Sequence, residues 1–326
     1  MQGKIYRIFS AIIIFVFLGL SQRGFSSPNA QFNSTNGLLQ SQVRSALDAE
    51  YTNGLGSYMG ALADSFAVSF ATSDLIADTK IKSFTIGFGV VGGTTSKLTL
   101  PSSFSGSLNR GIGAGASIHL GLAGSIFSSS LKDFDFILRL FFLPETGSTV
   151  KVKIFSVGLK PRYHLVNKTG IWGGLTLSLG IDYTNIDVSL IDKLNGETIN
   201  YTGGSGTVTD SGISMSLSMF TITPEVMTNA KLLIFKPFLA LGAVLNVSSK
   251  MDINGTIAGN FTSSGVGTPA QGFLTLSGNE SAQFAIPYAR GGFALDLWVI
   301  DLTFQGQVAL ANDTFFGGGV GLRVHF

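Results

Sequence analysis

Residue types that commonly do chemistry are scarce in this sequence. It has no cysteine, and its three histidines are His119, His164 and His325. No spacing of His, Asp and Glu matches a metal-ligand pattern. No glycine-rich loop precedes a helix, as a phosphate site would require. The sequence therefore predicts no enzyme, no metal and no cofactor.

Charged residues instead recur at alternate positions within otherwise apolar stretches. Successive side chains of a strand point to opposite faces, so these charges share one face of a sheet. If the sheet closes, that face lines a lumen. There the charges either form a constriction that selects solutes by sign or form ion pairs that tie the strands together across a closed lumen. The candidate lumen residues are Arg139, Lys160, Arg162, His164, Asp182, Lys236, Arg290, Asp296, Asp301, Arg323 and His325.

About ten stretches show this alternation between residue 81 and the C-terminus. In the first, Phe84, Ile86 and Phe88 share a face opposite Thr85 and Gly87. Each stretch is long enough to cross hydrocarbon as a tilted strand, whereas a β-sandwich uses shorter strands. The pattern predicts an all-β fold, a transmembrane antiparallel up-and-down β-barrel of about ten strands, with eight to twelve compatible.

Two details of the alternation can be tested by structure. In one stretch the apolar face, expected to contact lipid, consists of Ile213, Met215, Leu217 and Met219, and Trp172 falls on the lumen face of another. The alternation also slips near Ile154 and Phe155, and again near Met219 and Phe220. Such slips indicate β-bulges or the points where strands leave the membrane.

The composition agrees with strands that face lipid on one side and a polar lumen on the other. Only 12% of residues are charged, about half the usual share, yet no long apolar run follows the N-terminus. The formal net charge is +2, so no basic surplus favours nucleic acid as a partner.

The N-terminal quarter has a different organisation. Residues 1–26 have the pattern of a signal peptide, with Lys4 and Arg7 before an apolar core at 11–20 that is too short for a stable membrane anchor. Residues 27–80 form a polar and then helical segment, with Asn53-Gly54 predicted to interrupt the helix. Residues 66–70 suit a helix or the start of a strand. This segment is expected to be a plug in the lumen, which we favour, or a periplasmic lid, with the barrel occupying residues 81–326.

The connections alternate between short and long. Short joins are predicted at 167–170, 228–231 and 299–301, and long polar ones at 92–109, 191–212 and 249–272. Outer-membrane barrels place short turns in the periplasm and long loops outside. Both chain termini are then expected in the periplasm. Some long loops are predicted to be extended hairpins, which would raise the strand count.

The last stretch, 315–326, alternates to the end of the chain, with Leu322, Val324 and Phe326 on the apolar face. It resembles the C-terminal assembly signal of bacterial outer-membrane β-barrel proteins. The resemblance implies a location in the cell outer membrane. It also implies outer-membrane lipid, periplasmic chaperones and the barrel-assembly machinery as partners.

Among such barrels, the omptin proteases resemble this chain in strand number, but they work at the outer rim with acidic and His groups. No histidine is predicted at that rim here. Outer-membrane phospholipases place a Ser/His pair on the lipid face, where this sequence predicts no His. The leading hypothesis is a small channel or transporter for small solutes with a charged inner mouth. The alternative is a surface-binding, adhesin-like or structural barrel with a closed lumen, its long outer loops contacting host or matrix ligands.

Overall fold

The computed structural model describes residues 29–34, 36–81, 83–96, 110–168, 170–192, 195–201, 203–263 and 266–326. The predicted signal peptide lies outside the described residues. The elements are β1 (Asn29–Ser34), α1 (Gly37–Ala71), β2 (Phe84–Thr95), β3 (Ile112–Ala123), β4 (Phe134–Thr146), β5 (Val150–Asn167), β6 (Trp172–Ile191), β7 (Thr198–Tyr201), β8 (Gly204–Ala230), β9 (Phe235–Ser263), β10 (Val266–Glu280), β11 (Ala285–Leu297), β12 (Ile300–Ala309) and β13 (Phe315–His325).

Ten strands close into an antiparallel ring, which confirms the predicted barrel. Their order is β2–β3–β4–β5–β6–β8–β9–β11–β12–β13, and β13 returns to β2. The closing pair matches Val320 with Val90 and Leu322 with Phe88. Apart from the closing pair, the pairings follow an up-and-down order, except that β7 is skipped between β6 and β8 and β10 between β9 and β11.

The two ends of this ring differ. At one end, which we call the turn end, lie the short connections β3–β4, β5–β6, β8–β9 and β11–β12 and the C-terminus. At the other end β8 and β9 continue far past the ring, and their distal parts pair with each other, with β7 and with β10. We call this part the extension: residues 204–219, 249–263, β7, β10 and β1. The predicted loops at 191–212 and 249–272 are therefore largely strand, as extended hairpins, because their polar residues still alternate.

The N-terminal end of the described chain lies in the extension, where Asn29 pairs with Ser277 and Ser34 with Gly272. Phe326 lies at the turn end, where its backbone N–H donates to the Phe84 carbonyl at 3.0 Å. The described chain ends are therefore at opposite ends of the barrel, contrary to the expectation that both termini share one side. The difference arises because the segment before β2 runs through the lumen rather than beside its mouth.

The extension also reverses the direction of the apolar face. Within the ring, apolar side chains such as Leu241 and Val320 point outward and are about half exposed. In the extension Leu217 and Met219 are buried on the inner side against α1, so the prediction that Ile213, Met215, Leu217 and Met219 face lipid is wrong. Beyond the membrane the outside is water and the inside is a helix. The apolar residues therefore turn inward.

The predicted slip at Met219 and Phe220 marks this boundary. The pairing of β8 with β9 shifts between Phe220 and Thr221. Phe220 is still exposed on the outer side, while Met219 is 2% exposed. The slip is thus both a bulge and the point at which β8 leaves the lipid-facing zone.

A single helix fills the space inside the extension and enters the ring. The side chain of Asn36 caps its start by accepting from the Leu39 N–H at 3.2 Å. The helix continues through Asn53 and Gly54 to Ala71, so the predicted interruption is wrong, and residues 66–70 are helical. Among the described residues no helix is both long and apolar enough to span a membrane.

The two ends of α1 are held by different contacts. Near its start, Leu39 and Val43 pack with Phe261 and Leu274 in an apolar core. Near its end, it lies against β3, where a Cβ on Gly113 would stand 2.4 Å from the Ser65 carbonyl oxygen. Gly111 and Gly115 make the same close approach to Ala61 and Ser69. Two residues of strand advance about as far as four residues of helix, which keeps the three contacts in register.

One predicted orientation within the ring is also wrong. Trp172 is 47% exposed on the outer side instead of facing the lumen. The pairing of β6 with β8 shifts between Trp172 and Gly174, and Gly174 has a φ of +109°. This bulge turns Trp172 outward, where its Nε1–H donates to Thr228 Oγ1 at 2.8 Å.

Candidate functional site

The segment that follows α1, residues 72–81, runs through the lumen toward the turn end, and we call it the strap. It carries two carboxylates, Asp74 and Asp78, four residues apart. Its backbone carbonyls accept hydrogen bonds from side chains on the ring. Asn229 Nδ2 donates to Ala77 O at 3.0 Å, and Ser117 Oγ donates to Ser73 O at 3.1 Å. The strap is therefore tied to the wall along its length.

The first carboxylate lies at the centre of the most buried ion-pair cluster. Lys160 Nζ is 2.9 Å from Asp74 Oδ2 and 3.0 Å from Glu225 Oε1. Arg290 Nη1 is 3.2 Å from Asp74 Oδ1, while its Nε and Nη2 lie 2.7 and 2.8 Å from the two oxygens of Glu225. Tyr288 donates its hydroxyl to Glu225 at 2.8 Å. Side chains from strands β5, β8 and β11 are thus linked in one cluster around a single strap residue, Asp74.

Above this cluster, toward the extension, Arg139 closes the end of the helix. Its Nη1 donates to the Ala71 carbonyl at 2.8 Å, and its Nη2 pairs with Asp182. An arginine at the C-terminus of a helix satisfies a carbonyl that has no partner within the helix. Strands β4 and β6 therefore fix the point where helix becomes strap.

The second carboxylate anchors the strap near the turn end. Asp78 pairs with Arg323, and its Oδ1 is 3.4 Å from Lys236 Nζ. The same two cations also pair with Asp301, and Lys236 reaches Asp296 at 2.6 Å. Strands β9, β11, β12 and β13 meet here in the same way.

A third cluster holds the last residue of the strap. Asp135 Oδ2 accepts from the Ile81 N–H at 2.7 Å and lies 3.3 Å from Arg162 Nη2 and 3.1 Å from His164 Nε2. Arg162 also donates to the Asp78 carbonyl at 2.7 Å. Backbone and charge together keep this end of the strap against β4 and β5.

The field of these cations controls the strap carboxylates. Lys160 and Arg290 lie beside Asp74, and their positive charges favour its ionised form. Arg323 and Lys236 favour the ionised form of Asp78 in the same way. Both carboxylates are therefore charged near neutral pH and balance lumen cations.

The structure brings the predicted lumen residues together. All eleven are on the lumen side; Asp296 and His325 are partly exposed at the turn end, and the other nine are buried. Whether they select solutes stays a prediction. Sequence reasoning missed Asp74 and Asp78, because residues 72–81 have no strand or helix period. The surplus of cations over acids in the predicted lumen set was the available signal for further acids.

Little space for a solute remains beside the first cluster. The cavity next to Asp74, Lys160 and Glu225 has a volume of about 10 Å³, about the minimum for one water molecule. A larger cavity of about 250 Å³ opens at the turn end, lined by Lys236, Arg323 and other residues of that mouth. The strap separates the lumen into these unequal parts.

The described residues hold no grouping of His, Asp and Glu that could bind a metal ion. His119 is 1% exposed in the lumen, and neither of its ring nitrogens has a hydrogen-bond partner among the described residues. His164 is engaged by Asp135, and His325 Nε2 lies 2.6 Å from the Trp298 carbonyl. The charged groups of the lumen therefore form ion pairs that keep the strap in place and the lumen closed.

The predicted assembly signal occupies the expected place at the seam of the barrel. Leu322 is 48% exposed on the outer face, and the ring of Phe326 lies 5.6 Å from that of Phe84. Val324 pairs with Ile86 in the closing strand pair. Recognition of Leu322, Val324 and Phe326 by assembly factors stays a prediction.

Comparison with known proteins gives three kinds of result. No curated protein matches the sequence. Solved structures similar to this chain include the outer-membrane protease OmpT of Escherichia coli, at 7% identity over 75% of this chain and 97% of that one, with a TM-score of 0.38. The translocator domain of the autotransporter NalP of Neisseria meningitidis matches at 10% identity over 85% and 97%, with a TM-score of 0.35. The toluene transporter TodX of Pseudomonas putida matches at 9% identity over 84% and 98%, with a TM-score of 0.32.

We draw no functional conclusion from structural similarities at these TM-scores. The closed ring, its apolar exterior and its charged interior are those of a transmembrane outer-membrane β-barrel in their own right. A family model described as Lsa36-like matches residues 24–326, nearly the whole chain, and the protein therefore belongs to the Lsa36-like family.

Proposed function

We propose that this protein is a closed barrel of the outer membrane that holds the extension at the cell surface as a binding platform. The observation that carries the proposal is the neutralised strap. Asp74 and Asp78 each pair with two cations of the lumen wall, and those cations also pair with acids on other strands. A lumen closed in this way leaves no open path for a solute. It suits a barrel that anchors a structure outside the membrane better than it suits a channel.

The strap is also tethered at both ends. Toward the extension it continues into α1 and, through it, into β1, which is paired with β10. Toward the turn end it continues directly into β2 of the ring. A segment fixed on both sides cannot leave the lumen without breaking strand pairs or buried ion pairs, which is costly.

The outer face of the extension supports a binding role. Asn254 and Thr256 of β9 are exposed there, and Phe273 of β10 is 50% exposed among polar neighbours. Serine, threonine and asparagine dominate this face, so it is a mixed hydrogen-bonding surface with few charges. Host or matrix ligands, expected from the sequence at the outer loops, would meet this face first.

Thiol labelling tests closure and orientation together, because the native chain has no cysteine. Ser73→Cys places a thiol on the buried strap, Asn254→Cys on the extension and Lys168→Cys on the turn end. With a membrane-impermeant maleimide and intact cells, we expect rapid labelling of Asn254→Cys only. In open membranes Lys168→Cys should react as well, while Ser73→Cys stays unlabelled until the protein is denatured.

Labelling of Ser73→Cys in the folded protein would contradict the closed lumen. Labelling of Lys168→Cys in intact cells, with Asn254→Cys protected, would contradict the orientation.

The binding role has its own test, in which cells displaying the barrel are added to immobilised matrix glycoproteins. Asn254→Lys with Thr256→Lys should reduce binding, and Lys168→Ser should leave it unchanged. No binding by the native barrel would leave a structural role as the function of the extension.

A channel for small solutes is the second candidate. The cavity of about 250 Å³ at the turn end favours it, since Lys236, Arg323 and His325 line that cavity and give it the charged inner mouth expected from the sequence. A solute entering there meets Asp78 and the strap above it. Conduction would require the strap to move, and the bilayer recording described in the Discussion tests this.

A further inference from the structure

Every connection at the turn end exposes large apolar side chains. The tips of the two tightest turns are the most exposed of these, Leu233 at 97% and Trp298 at 93%. Short turns of barrels normally carry the polar residues of turns, because they face water. The exposed apolar residues of this end, which we call the apolar rim, are Ile126 and Phe127 on β3–β4, Ile171 and Trp172 on β5–β6, Leu232, Leu233 and Ile234 on β8–β9, Leu297, Trp298 and Val299 on β11–β12, and the C-terminal Phe326.

Two of these residues have a backbone conformation that is unfavourable for residues with large side chains. Leu233 has a φ of +56° and Trp298 a φ of +74°, in the left-handed region that favours glycine and asparagine. Trp298 is the central residue of a γ-turn, closed by the Val299 N–H donating to the Leu297 carbonyl at 3.0 Å. A small polar residue would be easier at either tip, so the large apolar side chains need another reason to be there.

Two joins at the opposite end, among the described residues, have tips without large apolar side chains, although Leu310, which leads into one of them, is 60% exposed. Residues 147–149 are Gly-Ser-Thr, and residues 312–314 are Asn-Asp-Thr. The tips there are made of polar residues and glycine, as water-exposed turns are. Large apolar side chains at the tips of turns therefore distinguish the turn end from these two joins.

The position of the apolar rim indicates its occupant. It surrounds the whole mouth, whereas a protein partner would cover one side of it. It also continues the lipid-facing belt without a break: Leu239, above the β8–β9 turn, is 53% exposed, and Leu297, at the next turn, is 52% exposed. A lysine lies on three of the four connections, at Lys132, Lys168 and Lys231. Tryptophan and lysine together are the residues that anchor proteins at a membrane–water interface.

We propose that the apolar rim is an interfacial membrane anchor, seated in the headgroup layer of the leaflet at the turn end. The tips of Leu233 and Trp298 enter the region where acyl chains meet headgroups, and the flanking lysines contact lipid phosphate. The turns of the barrel are thus immersed in the headgroup layer. The ring crosses the membrane from there and carries the extension at its other end. This inference rests on the membrane placement in the proposed function and adds which leaflet region the turns occupy.

The chain supplies its own probe, since its two tryptophans, Trp172 and Trp298, both belong to the apolar rim. The full chain with Trp172→Phe is refolded into vesicles of phosphatidylcholine with a minor share of phosphatidylglycerol, so that emission reports Trp298 alone. We expect a blue-shifted emission, loss of quenching by aqueous iodide, and strong quenching by lipids brominated near the headgroup. Emission and iodide quenching equal to those of free tryptophan amide would overturn the proposal.

A second variant separates failure of this inference from failure of the membrane placement. In a background of Trp172→Phe and Trp298→Phe, Leu239→Trp places the probe on the lipid-facing belt. Quenching of this probe by deeply brominated lipids shows that the barrel spans the bilayer. If it is quenched while Trp298 stays water-exposed, the barrel is inserted and the anchor is wrong. Protection of Trp298 only in native membranes, and not in pure lipid, would assign the rim to a protein partner and also contradict the proposal.

Discussion

The ring and the extension share strands β8 and β9 but place opposite kinds of side chain at their centres. On β9, Leu241 in the ring points outward, whereas Ile253 and Ile257 in the extension point inward and are 3% exposed. The ring surrounds charged groups and is coated with apolar ones; the extension surrounds an apolar core and is coated with polar ones. On β9 the apolar residues keep one parity through both parts. The register shift between β8 and β9, where Asn246 and Ser248 pair with successive residues of β8, turns that parity from outward to inward.

The helix and strap reflect the same change. In the extension, Val43 and Leu39 are held by apolar packing against Phe261 and Leu274. In the ring, Asp74 and Asp78 are held by ion pairs. The plug is therefore one continuous segment with two kinds of attachment. Each kind can be weakened separately, by substitution or by acid.

The largest effect is expected from breaking the ion pairs of the ring. Arg290→Met leaves Glu225 and Asp74 with one cation fewer in a buried site, which should lower the free energy of unfolding by about 3 to 5 kcal/mol. Urea titration of barrels refolded in vesicles measures this. Adding Asp74→Asn to the same variant leaves Lys160 paired with Glu225 and should recover much of the loss. A single variant as stable as the native protein would show that the cluster does not hold the lumen.

A lysine on the outer face should distinguish the two parts directly. Leu241→Lys places a charge in the lipid-facing belt and should cost about 2 to 4 kcal/mol near the bilayer midplane. Thr256→Lys is on the outer face of the same strand in the extension and should change stability by at most about 0.5 kcal/mol. The same titration compares them. Equal losses would mean that the extension, too, contacts lipid.

Acid should loosen the strap and leave the apolar core of the extension unaffected. Protonation of Asp74 and Asp78 removes their ion pairs with the buried lumen cations, so acid should weaken the attachment of the strap. Because these pairs favour the ionised carboxylates, maleimide reactivity of Ser73→Cys after a brief acid exposure should stay low down to about pH 4 and rise only at lower pH. With Asp74→Asn and Asp78→Asn added, this rise should be much weaker. A rise beginning near neutral pH would point to other groups.

The smallest effect is expected from trimming the apolar core of the extension. Ile257→Val removes one methylene group from a fully buried side chain and should cost about 0.5 to 1.5 kcal/mol. Because this site is remote from the strap ion pairs, reactivity of Ser73→Cys should not change. Ser214→Ala, at an exposed position of β8, is the matched control for stability. Opening of the strap by Ile257→Val would mean that the two attachments are coupled.

Much of the ring could be predicted from the sequence, because alternation over membrane length has one simple explanation. Leu322 and Arg323, for example, are adjacent, and their opposite characters assign one to lipid and the other to the lumen. The eleven lumen residues follow from the same parity. What parity cannot tell is which solvent lies on either side, and this is why Leu217 and Met219 were assigned to lipid.

Two further features depend on contacts that are remote in sequence. Asp74 and Asp78 lie in a segment with no period, and their role is visible only once Lys160 and Arg323 are opposite them in space. The entry of the chain from the extension depends on β1 pairing with β10, across more than two hundred residues. An even number of strands places both ends of the ring on one side, but it does not determine from which side the segment before β2 enters the lumen.

Closure of the lumen by the strap can be measured by planar-bilayer recording of the native protein. We expect no sustained current from native barrels, with insertion under the same conditions verified on the Leu239→Trp variant, and measurable current once Asp74→Asn and Asp78→Asn remove both strap carboxylates. A steady, ion-selective current from the native protein would contradict closure and favour the channel.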